Sequence, residues 1–170
     1  MHRRATEYAG RRGVSLGPRL GLGKDGIVFS TQPQDAWVGD WAGPTAIKAL
    51  GRNDLFSREL GAYRRLADHG LGGPERVLGH NVPLLLGHDE NLLVIEMSIV
   101  TKPYVLDFAS AYLDHPPEFP PDVMEERHAH WAEMFGSNWP KALRIIANFR
   151  SLGIHLLDPS PGNIAFDGDT

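Results

Sequence analysis

The sequence predicts an α+β chain: an antiparallel sheet of about five strands with one helix, followed by a reduced helical half. Three observations predict it. Short β-prone runs separated by glycine turns fill residues 20–50. One strong helical period follows at 53–69, and a buried-type strand, Leu92–Met97, follows that. Beyond residue 98 the apolar residues recur mainly at helical spacing, around a cluster of prolines.

Each element has a local reason. Residues 1–16 carry Arg3, Arg4, Arg11 and Arg12 and read as a basic, flexible arm. Leu20 to Ser30 places a glycine turn between two β-prone runs, which is the pattern of a hairpin. Pro44 to Leu50 reads as a third strand. Leu55, Phe56, Leu60, Tyr63 and Leu66 recur at spacings of three and four, with Asn53 or Asp54 as a cap and Gly70 as a stop. Residues 71–91 are loop-rich, with a short strand at Val82–Leu86.

Val105 to Leu113 reads as a short helix. Pro116, Pro117, Pro120 and Pro121 then forbid regular helix and mark a stiff connection. Val123–Phe135 resumes helical character. Asn138-Trp139-Pro140 opens a second helix, since Pro is suited to a first turn. Its apolar face is Trp139, Ala142, Leu143, Ile146, Phe149 and Leu152, and Gly153 stops it. Ile154 to Phe166 reads as strand, tight loop, strand.

Composition narrows the function classes. At 170 residues the chain has the length of about one domain. Its 17 Lys+Arg against 21 Asp+Glu give a net charge of −4, without the basic face that nucleic-acid binding needs. There is no cysteine, which excludes disulfides, thiolate metal sites and a cysteine nucleophile and is consistent with a reducing cytoplasm. The longest apolar-rich stretch, Leu92–Met97, is far short of the roughly 20 residues of a membrane helix, so no membrane partner is expected.

Four features carry chemistry. Gly21-x-Gly23-x-x-Gly26-x-Val28 sits between two strands rather than before a helix. That excludes the dinucleotide fingerprint, and suits either a loop over nucleotide phosphates or a ligand-free hairpin. Lys48 follows Ala46-Ile47 in a strand, where it can enter a cleft or stay exposed. Glu59 lies four residues after Leu55 and four before Tyr63, beside an apolar face, and a carboxylate there wants a cation such as Lys48. Asp158-Pro159-Ser160-Pro161-Gly162-Asn163 sets an acid and an amide five apart on a stiff loop. They can aim two oxygens at one point, or make only local turn hydrogen bonds. Glu126, His130 and Glu133 share helical spacing that suits a metal, but the charges around them favour a solvated face.

The order Gly-loop, strand Lys, helix Glu, apolar strand, long apolar helix and Asp-x4-Asn resembles the protein-kinase-like superfamily, from about Leu20 to Phe166. The resemblance implies a small lobe over 17–97 and a reduced large lobe over 98–170, after the 1–16 arm. It implies that Gly21, Gly23, Gly26 and Val28 belong to a loop covering the phosphates of ATP. Lys48 would reach the α- and β-phosphates and pair with Glu59, and Glu96 to Ser98 would form the hinge that receives adenine. Asp158 would be the catalytic base and Asn163 a Mg²⁺ ligand.

The implied activity is ATP-dependent phosphoryl transfer in the cytoplasm, Ser/Thr-directed if the substrate is a protein, or directed at a small molecule. An inactive nucleotide-binding or protein-interaction module and a half-enzyme completed by another chain are the alternatives. Leu156 and Leu157 stand where the family often has His-Arg, and Ser160 where protein kinases commonly have Lys. The family's second metal-binding aspartate, in Asp-Phe-Gly, follows the Asn; here Asn163 is followed by Asp167-Gly168-Asp169, which reads as a solvated turn, with either acid as a substitute metal ligand the alternative. The apolar face of helix 139–152 would then be covered by the Val123–Phe135 helix, by self-association or by a partner.

Overall fold

The computed structural model describes residues 1–32, 38–71 and 76–168. It is a mixed α+β fold around a five-stranded antiparallel sheet. The strands are β1 (Ser15–Leu22), β2 (Gly26–Gln32), β3 (Thr45–Leu50), β4 (Leu85–Asp89) and β5 (Val94–Ser98), in the order β1-β2-β3-β5-β4. Strand alternation sends side chains to two faces. On β3, Ala46 and Leu50 join the main core with α2 (Asn53–Asp68), while Ile47 and Ala49 join a smaller core on the opposite face. Lys48 has the parity of Ala46 and Leu50 and therefore faces α2.

Helix α2 buries Leu55, Phe56, Leu60, Tyr63 and Leu66 as its period predicts, and Gly70 follows it with φ +68°. The expected cap is absent: the helix begins at Asn53 and no side chain caps it. Asp54 instead pairs with Arg52 at 3.0 Å. The short strand expected at Val82–Leu86 lies slightly later, at Leu85–Asp89.

The first correction concerns the amino-terminal arm. His2–Arg11 is a helix, α1, seated on the sheet face opposite α2. Ala5, Tyr8 and Ala9, spaced three and four apart, are buried there, and the two small alanines permit close approach. The basic residues have specific acceptors. Arg4 donates to the Leu50 carbonyl, and Arg11 pairs with Asp89 at 2.6 Å. Arg12 Nε donates to Glu96 Oε2 at 2.8 Å, and Tyr8 Oη to the same oxygen at 3.1 Å. Thr45 Oγ1 donates to Oε1 at 3.1 Å, so the wholly buried Glu96 carboxylate is enclosed by donors.

Burial first, and then the Glu96 carboxylate, push the Tyr8 phenol up. Arg12→Ala is expected to destabilise the fold by about 3 kcal/mol, because it leaves a buried carboxylate without its cation. Glu96→Gln in the Arg12→Ala background should recover part of that loss. Urea unfolding measures both, and an Arg12→Ala midpoint equal to wild type would refute the clasp.

The second correction lies at 105–113. Val105, Phe108 and Ala111 are all buried at spacings of three, which is why the run imitates a helix. The backbone is instead a strap: β6 (Tyr104–Val105), a turn, and β7 (Tyr112–Leu113). It pairs antiparallel with two later strands, β6 with β9 (Ile164–Ala165) and β7 with β8 (Ile154–His155). Phe108 pins the strap, with its ring 5.3 Å from that of Tyr63 and 5.6 Å from that of Phe149.

Two helices complete this half, α3 (Pro121–Phe135) and α4 (Trp139–Ser151). Proline lies in the first turn of each, where its missing N–H costs no helix bond. The buried face of α4 is Ala142, Ile145, Ile146 and Phe149; Leu143, expected inside, is exposed. Trp131 and Phe135 of α3 share the same core, with the Phe135 and Trp139 rings stacked at 6.0 Å. Ala142, Ile146 and Phe149 of the expected face are thus covered from within the chain, and Leu143 is left outside. Among the described residues, no helix is long and apolar enough to cross a membrane.

Candidate active site

A cleft of about 710 Å³ lies between the sheet and the strap–loop layer. Gly21, Gly23, Gly26, Val28, Lys48, Glu59, Ser98, Asp158 and Asn163 all line it. The residues singled out in five separate stretches of sequence therefore meet at one place. Glu96 is the exception.

The β1–β2 turn closes with the Gly23 N–H donating to the Gly26 carbonyl at 2.9 Å. None of these three glycines has a positive φ. A Cβ on Gly21 or Gly23 would meet nothing closer than 3.9 Å. Neither backbone conformation nor protein packing therefore demands glycine at 21 or 23, and the open space lies on the cleft. At Gly26 a Cβ would meet Lys48 Cε at 3.4 Å, so the bare backbone leaves room for the lysine to extend.

Lys48 Nζ sits 2.8 Å from Glu59 Oε1 and 2.9 Å from Asp107 Oδ1. Burial alone would lower its pKa, but the two carboxylates outweigh burial and hold it above the ordinary lysine value. It is a fixed cation at neutral pH. Burial raises Glu59, and Lys48 only partly offsets this. The second Glu59 oxygen, Oε2, is buried with no hydrogen-bond partner. Burial also acts to raise Asp107, but Lys48 overcomes it and holds that carboxyl below its ordinary value.

Across the cleft, the Asp158–Asn163 loop is held by its own turns. Ser160 N–H donates to the Asp158 carbonyl at 2.9 Å, and Ile164 N–H to the Ser160 carbonyl at 2.8 Å. Asn163 Nδ2 donates to the Asp158 carbonyl at 2.9 Å, which leaves Oδ1 as the amide's acceptor. Arg127 of α3, stacked over Phe119, braces the loop by donating to the Leu157 carbonyl at 2.9 Å. The Asp158 side chain is exposed on the cleft.

Glu96 does not serve as a cleft residue. It lies inside the sheet, opposite Ile47 on one side and Gly87 on the other, with its carboxylate turned toward α1. The same alternation turns Met97 toward the cleft, where Tyr63 Oη lies 3.2 Å from its sulfur. Ser98, the last residue of that run, lines the cleft, and Ile99 and Val100 continue its wall.

The residue that sequence reasoning missed is Asp107. A lone carboxylate inside Val105-Leu106-Asp107-Phe108 was its only signal. Asp167 is exposed outside the cleft, and Asp169 lies outside the described residues. Glu126, His130 and Glu133 are exposed on α3. Among the described residues, no group of three His, Cys, Asp or Glu is placed to hold a metal.

A scan against protein-family models matches no family, and a search of the curated proteins finds no match.

Proposed function

We propose that this chain is a kinase-like phosphotransferase that binds ATP with Mg²⁺ in the cleft and transfers a phosphoryl group to a hydroxyl. The observation that carries the reading is the buried Lys48–Glu59 pair facing Asp158 and Asn163 across one cleft. A cation held rigidly by a buried carboxylate neutralises phosphate oxygens without having to reorganise. Glu59 is a positioning residue for it. The unfilled space over Gly21 and Gly23 suits phosphates approaching the backbone. Exposed Asp158 can accept the substrate proton, and the adjacent Asn163 offers an oxygen to a hard cation. Bound Mg²⁺ would neutralise phosphate charge in this chemistry. The acceptor is Ser/Thr-type if the substrate is a protein, and a small alcohol fits the same chemistry.

A thermal-shift titration tests the reading. Ligand at 100 times its dissociation constant stabilises by about 2.7 kcal/mol. For a chain of this size that is a rise of roughly 5–10 °C. No stabilisation by millimolar ATP with Mg²⁺ would remove nucleotide binding from consideration.

A further inference from the structure

We infer that Asp107 is the second metal-binding acid of this cleft, so that the acid precedes the Asp158–Asn163 loop along the chain instead of following it. The inference rests on the phosphotransferase reading above and assigns the residue that reading lacks. The topology carries it. The β6–β9 ladder, Tyr104 opposite Ala165 and Val105 opposite Ile164, continues with the Leu106 N–H donating to the Asn163 carbonyl at 2.8 Å. Asp107 therefore leaves the ladder beside Asn163. On its other side it meets Lys48 at 2.9 Å. The strap thus sets one carboxylate on the fixed cation, in the cleft that Asn163 also lines and one residue beyond the backbone bond to Asn163.

The hydrogen bonds of that carboxylate fall on one oxygen. Lys48 Nζ and the Ala109 N–H, the latter at 3.3 Å, both donate to Oδ1. Oδ2 is left as an acceptor on a half-exposed side chain that lines the cleft. An independent observation comes from Glu59, the other carboxylate paired with Lys48. Glu59 is wholly buried, lines the cleft, and keeps Oε2 with no hydrogen-bond partner. An acceptor buried at that cost requires a donor, and the water shell of a hydrated cation supplies donors.

The donor set also selects the cation. The Asp107 carboxylate and the Asn163 amide oxygen, with no His or Cys lining the cleft, suit a hard ion. Mg²⁺ is held by one or two carboxylates and completes its shell with water and phosphate oxygens. The triplet Asp107-Phe108-Ala109 differs from Asp-Phe-Gly only in its last residue, and buried Phe108 fixes the strap against α2 and α4.

Mn²⁺ affinity, read by electron paramagnetic resonance in the presence of a non-hydrolysable ATP analogue, tests the assignment. Asp107→Asn is expected to weaken Mn²⁺ binding by at least about 10–100-fold. Metal-free analogue affinity, measured in EDTA, should not fall, because the substitution removes a negative charge beside Lys48. Asp167→Asn, outside the cleft, should leave both at the wild-type value. On the wild-type chain, which removes any question of misfolding, bound Mn²⁺ should broaden the NMR signals of the Asn163 side-chain amide and the 107–109 backbone.

Mn²⁺ binding by Asp107→Asn within about twofold of wild type, or broadening that spares 107–109, overturns the assignment. Wild type that binds the analogue equally well with and without metal overturns it too, and leaves nucleotide binding standing. Wild type that binds no analogue in either condition overturns the nucleotide reading itself, and the assignment with it.

Discussion

Lys48→Met is expected to lose both stability and ATP affinity, and the two losses are separable. The lysine is the shared cation of Glu59 and Asp107. Removing it leaves Glu59 wholly buried with no partner on either oxygen. Breaking a buried pair from one side costs about 3–5 kcal/mol. For a chain of this length that lowers the melting temperature by roughly 6–20 °C. Adding Glu59→Gln should return part of the stability, because a neutral amide is cheaper to bury than a carboxylate. It should not return ATP binding. A charge-assisted hydrogen bond contributes about 1.5–3 kcal/mol, or roughly 10–100-fold in affinity. The decisive comparison is ATP stabilisation of wild type against the double variant, each measured from its own melting temperature. Equal shifts would confine Lys48 to a structural role.

How far the site was legible depends on how local each signal is. Lys48, Glu59, Asp158 and Asn163 each sit on an element with a strong local signature: strand alternation, a helical period, a proline loop. Those signatures survive in a bare sequence. Asp107 has none. Its position follows from β6 and β7 pairing with strands near Ile164 and Ile154, and it meets Lys48 across 59 positions. The spacing of Val105, Phe108 and Ala111 meanwhile points to a helix that the pairing overrides.

The first helix was hidden for a different reason. Four arginines in twelve residues read as a solvated arm, and alanines carry no core signature. Its docking is specified by Glu96, 84 positions away from Arg12. Glu96 itself was partly legible. Its neighbours Ile95 and Met97 have the same parity as the core-facing residues of β5, so alternation alone turns Glu96 to the opposite face. What alternation does not provide is a reason to bury a carboxylate there, and that reason is α1.

Asp158→Asn should leave the fold and nucleotide affinity nearly intact while slowing phosphoryl transfer by about 10²–10⁴-fold, the contribution of a positioned base. The side chain is exposed, and its one side-chain contact, Asn163 Nδ2 at 3.4 Å, is long. The loop is held by backbone groups of Asp158 and Ser160, which the substitution keeps. Stability should therefore change by no more than about 0.5 kcal/mol, as at other exposed positions. Lys48 and Glu59 hold each other on the far wall of the cleft, so ATP should bind as before. Asparagine matches aspartate in shape but cannot take up the hydroxyl proton as the phosphorus–oxygen bond forms. The measurement is transfer of γ-phosphate to the chain itself, to generic proteins and to small alcohols, run beside an ATP-binding titration. A variant that transfers as fast as wild type would remove Asp158 from the chemistry. A wild type that binds ATP and transfers nothing to any acceptor would assign the cleft to nucleotide binding alone.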